Sequence, residues 1–499
     1  MTGISERRTS RRQLLAQGAT LTLGALSLAA CGTSATTTAA TSAASASTSV
    51  AATTSNSASA SVGTASATTS AAATAASATA TASPASAPSA AASAQKLAGT
   101  AVIWTRETGA NGAREPLINQ HLADFEKATG VKATAQYMVF QESIQKEQAA
   151  IAAGSPPEVA QQGPDVTLSF AAAGNLQPLD SVLKELGPQN FISLQKDAYV
   201  NWHGQQFGIP WYMETRIIFY HKDLLDKAGV KPPTLWSEWG DAAQKLTTAQ
   251  QYGFANPFDG PGPGQFWVSL AQSNGGLLLD QNGAIASNSP SVKEGLQFAS
   301  DFFLKYKTMP KAALTYKATD EEQLFLLKKV AMLYGNGQII DDVVTQKKDM
   351  LPNIGAFLMP VNKAGQTSRS FLGGWNLFAF KAAKNPDAGL ALLKWMYQEP
   401  WYTNYMQVAN GANLPVTKAA AGSDFFQKDE LRKLLITAEQ TAVRYGGPVY
   451  GNAPYLGAAE GNLDFSNALT NVDAGKATVD AAIATLTNQL TTLAKTAPK

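Results

Sequence analysis

The sequence is poor in the residues on which most catalytic and metal chemistry depends. One cysteine, Cys31, stands among 499 residues, so no intramolecular disulfide, CxxC redox pair or thiolate zinc cage can form. The three histidines, His121, His203 and His221, are far apart in the chain, and there is no HExxH, GxSxG or Walker motif. No metal or cofactor is therefore expected. Charged residues make up 15% of the chain, and the slight basic excess traces to Arg7, Arg8, Arg11 and Arg12; beyond residue 95 acids and bases nearly balance. That balance leaves no cationic stripe for a phosphate backbone, so nucleic acid is not an expected partner. Past the first 31 residues, no uncharged apolar run is long enough for a membrane-spanning helix.

What is present divides into three parts. Residues 1–30 have the layout of an export signal: a basic start, then an uncharged run rich in Leu, Ala, Thr and Gly from Leu14 to Ala30. Leu28-Ala29-Ala30-Cys31 resembles the bacterial lipobox, which implies a lipid on the Cys31 thiol and a new N-terminus there. Each buried methylene of such a lipid contributes about 0.8 kcal/mol to anchoring. Ser10-Arg11-Arg12-Gln13-Leu14-Leu15 resembles a twin-arginine signal, with Leu14 where Phe is usual. Residues 31–95 form the second part, a low-complexity tether behind the cysteine with no charge and almost nothing but Ala, Ser and Thr. It has no large apolar side chains to pack, so a flexible linker spanning roughly 45 Å is expected.

The third part, residues 96–499, is large enough for two lobes. Ala101-Val102-Ile103-Trp104 reads as a buried strand, and Pro116 to Thr129 as a helix with Ile118, Leu122 and Phe125 on one face. Alternation of Val131, Ala133, Ala135 and Tyr137 with polar residues predicts a second strand, residues 143–153 a second helix, and Pro164-Asp165-Val166-Thr167-Leu168 a third strand. This order predicts a doubly wound α/β lobe, whose ligands sit beyond the carboxyl ends of its strands, at Trp104 to Glu107 and at Thr167 to Ser169. Farther on, Asn385-Pro386-Asp387 predicts the start of a helix with Leu392, Leu393, Met396 and Tyr397 as its apolar face.

Several stretches occur in an order that resembles the family 1 extracellular solute-binding proteins, which include maltose-binding protein. They are Phe125 to Lys132, Gly163-Pro164-Asp165-Val166, Ala173 to Asp180, Phe207 to Tyr212, Ile218 to Leu225, Phe371 to Asn376, Ala383 to Pro386 and Asn413 to Val416. The resemblance implies two α/β lobes joined by a hinge of about three crossings, lobe 1 about 98–213 and 377–411, lobe 2 about 217–371 and 415–499. It further implies a monomeric, lipid-anchored receptor on the extracytoplasmic face that captures a carbohydrate and hands it to the permease of an ATP-binding-cassette importer. His221 and Ser169 depart from the family pattern, where Asn and an aromatic are usual.

Sugar receptors combine stacked aromatic rings with planar polar groups. Candidate ligand contacts are Trp104, Arg106 and Glu107 after the first strand; Trp211, Tyr212, Glu214 and Arg216 at the first crossing; and Trp375 and Asn376 at the second. Trp267, Asn336, Tyr450 and Tyr455 are further candidates. For Arg106, Trp211, Glu214 and Trp375 the competing reading is an interlobe salt bridge or a core aromatic, for Trp267 a surface turn, and for the other aromatics a place in the core. The charged members also admit a glycerophosphodiester or another polar solute. A carbohydrate-active enzyme is the rival class; Asp341-Asp342 are its adjacent carboxylates, which as chain neighbours more often form a solvated face.

Overall fold

The computed structural model describes residues 97, 99–106, 112–138, 140–192, 200–447 and 453–498. The leader, Cys31, the tether, Glu107 and Tyr450 lie outside them.

The first sheet opens as the sequence predicts. Strand β1 (Thr100–Thr105) runs parallel to β2 (Lys132–Tyr137), joined through helix α1 (Glu115–Thr129). Pro116 occupies the first turn of α1, where its missing N–H costs nothing, and Gly130 ends it at φ 77°, donating its N–H to the Glu126 carbonyl at 2.8 Å. Ile118, Leu122 and Phe125 are buried as expected. Helix α2 (Phe140–Ala152) then leads to β3 (Val159–Gln162), parallel to β1.

Here the sequence-based expectation is corrected. The third strand lies at 159–162, and the segment read as a strand is helix α3 (Pro164–Ala172). Gly163 is extended and Pro164 takes the first helical turn, an arrangement that pre-sets helical φ. Pro164 to Leu168 suggested a short strand, but a helix buried on most of its circumference presents the same short apolar run. Burial of Pro164, Asp165, Thr167, Leu168, Phe170 and Ala171 fits that explanation.

Strands β4 (Val200–Trp202) and β5 (Gln205–Glu214) follow, and the chain continues through Thr215 and Arg216 into β6 (Ile217–His221) of a second sheet. That sheet adds β7 (Tyr252–Ala255), β8 (Val330–Gly335) and β9 (Ile354–Phe357) in the order β7-β8-β6-β9. The chain then returns as β10 (Gly373–Ala379), antiparallel to both β3 and β5, completing the first sheet as β2-β1-β3-β10-β5-β4. A third connection passes the same place, where Leu414 and Met213 exchange backbone hydrogen bonds of 2.7 and 2.9 Å. After Asn385, the helix Pro386–Trp395 buries Leu392 and Leu393, and Met396 and Tyr397 just beyond it are buried too.

Gly374 is required at the return crossing. Its φ is +122°, and a Cβ there would stand 2.5 Å from the Tyr212 carbonyl oxygen. The two sheets thus belong to two α/β lobes whose strands meet at β5, β6 and β10.

Candidate functional site

The carboxyl end of β5 places Glu214 where the two sheets meet. Its carboxylate pairs with Arg216 at 3.0 Å and accepts a 2.7 Å hydrogen bond from Asn336, which follows β8 in the second lobe. Arg216 is fastened in turn by Ser370, whose hydroxyl accepts from the Arg216 N–H at 2.8 Å and donates to the Arg216 carbonyl at 2.6 Å. Burial opposes the charge of Arg216, but Glu214 together with Tyr334 and Tyr445 more than offsets this and holds the guanidinium above its ordinary range. Gly373 makes the room: a Cβ there would lie 2.5 Å from Glu214 Cγ and 2.8 Å from Arg216 Nη1. Three residues predicted as ligand contacts, Glu214, Arg216 and Asn336, therefore come together in a polar hinge that links both lobes.

A second group forms at the carboxyl ends of β1 and β3. Arg106 Nη2 donates to Gln162 Oε1 at 2.6 Å and to Ser143 Oγ at 3.0 Å, and its guanidinium carbon lies 3.6 Å from the centroid of the Trp375 ring. This is a cation–π contact in a desolvated setting, where such contacts are strongest. Burial brings Arg106 down to about 10, against the raising influence of Tyr212, Glu147 and Glu214. Gln162 also donates to Ser143 at 2.8 Å, while Gln161 accepts from Thr105 at 2.6 Å and donates to the Tyr212 hydroxyl at 2.8 Å. Burial pushes the nearby Glu147 carboxyl up to about 8. Trp104 and Trp375 are only half-buried. Ser143, Glu147, Gln161 and Gln162 were missed by the sequence reading; starting the third strand after Pro156-Pro157 would have placed the two glutamines at its carboxyl end.

Other predicted contacts sit elsewhere. Trp211 is 1% exposed, and its ring packs among Tyr397, Trp401, Tyr402 and Tyr405 at centroid distances of 5.0–6.2 Å. Trp267 is fully buried in the helix Gly262–Ser273, with its indole N–H donated to the Phe465 carbonyl at 2.7 Å. Both occupy core positions, since in each case neighbouring side chains cover the ring. Asn376 is buried inside the first sheet at the irregularity between Trp375 and Asn376. Tyr455 is largely buried at the start of the helix Leu456–Gly461, which lies against α3. Ser169, in α3, has its hydroxyl within 2.9 Å of the Pro454 carbonyl.

The features of the rival class are absorbed by structure. Asp341 is buried and accepts from Asn410 at 2.6 Å and from Gln338 at 3.2 Å. His121 stacks on Trp401 and bonds the Trp395 carbonyl, and His221 stacks on Phe325 and bonds its carbonyl. Among the described residues, no group of three or more His, Cys, Asp and Glu side chains is arranged to hold a metal. Nor is any described helix long and apolar enough to cross a membrane.

Two α/β lobes with a multi-strand hinge and a polar-aromatic rim match a known family. Residues 108–403 fit the family described as bacterial extracellular solute-binding protein. The chain belongs to that family. This solute-binding protein is 27% identical to the diacetylchitobiose binding protein DasA of Streptomyces coelicolor over 294 residues, 58% of this chain and 67% of that one. It is 26% identical to the sn-glycerol-3-phosphate-binding periplasmic protein UgpB of Agrobacterium fabrum over 363 residues, 66% of this chain and 78% of that one. Among solved structures, the GacH receptor of Streptomyces glaucescens, described unliganded and with acarbose, superimposes with a TM-score of 0.67 at 23% identity, covering 80% of this chain and all of GacH. That likeness establishes the periplasmic-binding-protein fold. The relatives are themselves binding proteins.

Proposed function

We propose that this protein is the lipid-anchored, extracytoplasmic receptor of an ATP-binding-cassette importer and that its solute is a neutral carbohydrate. Lobe 1, about 98–213 and 377–411, and lobe 2, about 217–371 and 415–499, close on the solute. The observation that carries the carbohydrate reading is the Trp375 ring, half-buried at the crossing and backed on one side by Arg106, with the amide groups of Gln161 and Gln162 at the carboxyl end of β3, Gln162 accepting from Arg106. A flat apolar ring beside planar hydrogen-bonding groups suits the C–H face and hydroxyls of a sugar. DasA and GacH, named with diacetylchitobiose and acarbose, add support.

A glycerophosphodiester or another polar solute is the second reading, and UgpB, named for sn-glycerol 3-phosphate, prompts glycerol 3-phosphate as its probe. It is disfavoured by the cations at the crossing, since Arg216 is committed to Glu214, and Arg106 to Gln162, Ser143 and Trp375. A phosphate at Arg216 would also meet the neighbouring Glu214 carboxylate, a like charge.

Function in this reading is differential affinity rather than chemistry: a solute that touches both lobes only when they are closed shifts the population toward the form a permease recognises. Cys31 carries the lipid, and the tether holds the body off the membrane.

A thermal-shift panel on the full chain tests the choice of solute. Maltotriose or diacetylchitobiose at 100 times its dissociation constant stabilises by about 2.7 kcal/mol, whereas glycerol 3-phosphate leaves the transition unmoved. Stabilisation by glycerol 3-phosphate alone would replace the carbohydrate reading with the second one.

A further inference from the structure

We propose that the end of lobe 2 farthest from the crossing is a lipid-contact face, on which the body rests against an anionic membrane surface. The second sheet sets its place. At one end of that sheet Ile217 pairs with Gly335 beside the crossing; at the other, His221 of β6 pairs with Ile354 of β9, and β8 begins at Val330. Three segments turn at this far end: Lys222-Asp223 after β6, Leu327-Lys328-Lys329 before β8, and Lys347-Lys348-Asp349 on the way into β9. Side-chain bonds hold them together. Lys328 pairs with Asp223 at 2.7 Å, and the Asn353 amide donates to the same carboxylate at 2.7 Å. Lys222 Nζ donates to the Pro352 carbonyl at 3.1 Å, and Gln323 donates to Gln346 at 3.5 Å.

Five lysines thus share this end with two aspartates, while Asp226 and Lys227 farther along cancel each other. Lys222, Lys329, Lys347 and Lys348 are exposed. The near-balance of charge over the whole body conceals this local excess. A lysine at a helix carboxyl end is favoured by the helix dipole, which accounts for one lysine after the helix Ala318–Leu326 and one after the helix Gln338–Gln346. It does not account for the second lysine at each, nor for Leu327. That side chain is 58% exposed, the most exposed large hydrophobic among the described residues. Leu324, Met350 and Leu351 of the same segments are only partly buried. Ammonium groups that meet phosphates around a leucine that enters the acyl boundary suit an anionic bilayer surface. A nucleic acid offers the phosphates but no apolar layer for the leucine.

The reason for such a face rests on the lipid-anchor reading above. A tether spanning roughly 45 Å keeps the body at high local concentration near the membrane, so a face of modest charge suffices. The described body begins on the other lobe, where Thr100 opens β1 at the end away from Arg106 and its carbonyl accepts from Asn385 at 3.0 Å. With the tether at one end and the lysines at the other, the body lies lengthwise on the surface, the crossing between the two attachments. Contact alternates with release, since the same tether holds the body off the membrane when the face lets go.

Hydrogen–deuterium exchange on the full chain bound to vesicles tests the face segment by segment, so the leader's own affinity for lipid does not enter the comparison. On vesicles of phosphatidylglycerol mixed with phosphatidylcholine, exchange in residues 324–330 and 347–353 should slow on the order of fivefold relative to the chain in solution. The buried helix Gly262–Ser273 should not change. Vesicles of phosphatidylcholine alone should leave both segments as they are in solution, and high salt should remove the protection. Replacing three exposed side chains together, Lys329→Gln, Lys347→Gln and Lys348→Gln, should abolish it, and Leu327→Ser should reduce it. Equal protection on neutral vesicles, protection that survives the triple variant, or no protection in either segment would overturn the lipid face. Mass spectrometry of Cys31 in chain recovered from the host membrane reports the anchor separately: an unmodified cysteine removes the anchor reading, and the exchange pattern still decides the face.

Discussion

Trp211 of β5 and Trp375 of β10 lie on neighbouring strands, Trp375 being paired with Tyr212, yet they have different surroundings. Trp211 is enclosed by four aromatic rings, whereas Trp375 is half-buried with Arg106 against its ring. Trp375→Ala should weaken sugar binding by about 1–3 kcal/mol, roughly 5- to 150-fold in the dissociation constant, and leave the unfolding midpoint nearly in place. Trp211→Ala should instead destabilise the fold by about 3–5 kcal/mol. Calorimetric titration and denaturant unfolding of the two variants separate these roles; comparable losses in both would undo the assignment. Asn336→Ala belongs to the same scale. It removes a charge-assisted bond to Glu214, so denaturant unfolding should show a loss of about 1.5–3 kcal/mol. Sequence composition indicated that aromatic and charged residues collect at the crossings, but not which ring the core would take, because adjacent strand residues face opposite sides of a sheet.

Elements with strong local signals were legible in the chain. The first helix has a proline at its start, a glycine at its end and an apolar stripe between, and its bounds follow the pattern closely. The segment 164–172 had only a short apolar run, and whether such a run is a strand or a buried helix is decided by tertiary packing. That single misreading also hid Gln161 and Gln162. A buried acid gives an element-scale prediction. In the helix Asp464–Asp473, burial pushes the Asp473 carboxyl from its ordinary 3.8 up to about 7. The folded state therefore holds this proton more tightly than the unfolded chain, and stability falls as pH rises from about 4 to about 7. Asp473→Asn has no such proton to lose. The difference in unfolding free energy between variant and wild type should grow in the variant's favour across that window and level off above it; a flat difference would show that Asp473 titrates normally. His221, lowered to about 4 by burial, acts oppositely below pH 6.5 in both proteins and drops out of the difference.

At the scale of the whole molecule, the order of family-like stretches made two lobes legible, while the contacts between them were not, since partners such as Glu214 and Asn336 are distant in sequence. The hinge of Glu214, Arg216 and Asn336 joins the sheets, and Trp375, the proposed sugar contact, lies at the return crossing. The most direct test is a calorimetric titration of the full chain with maltotriose and with diacetylchitobiose, followed by mass spectrometry of the recovered sugar. Saturable one-to-one binding of at least one of them is expected, with that sugar recovered intact. No saturable heat with either, or a sugar returned cleaved, would contradict it.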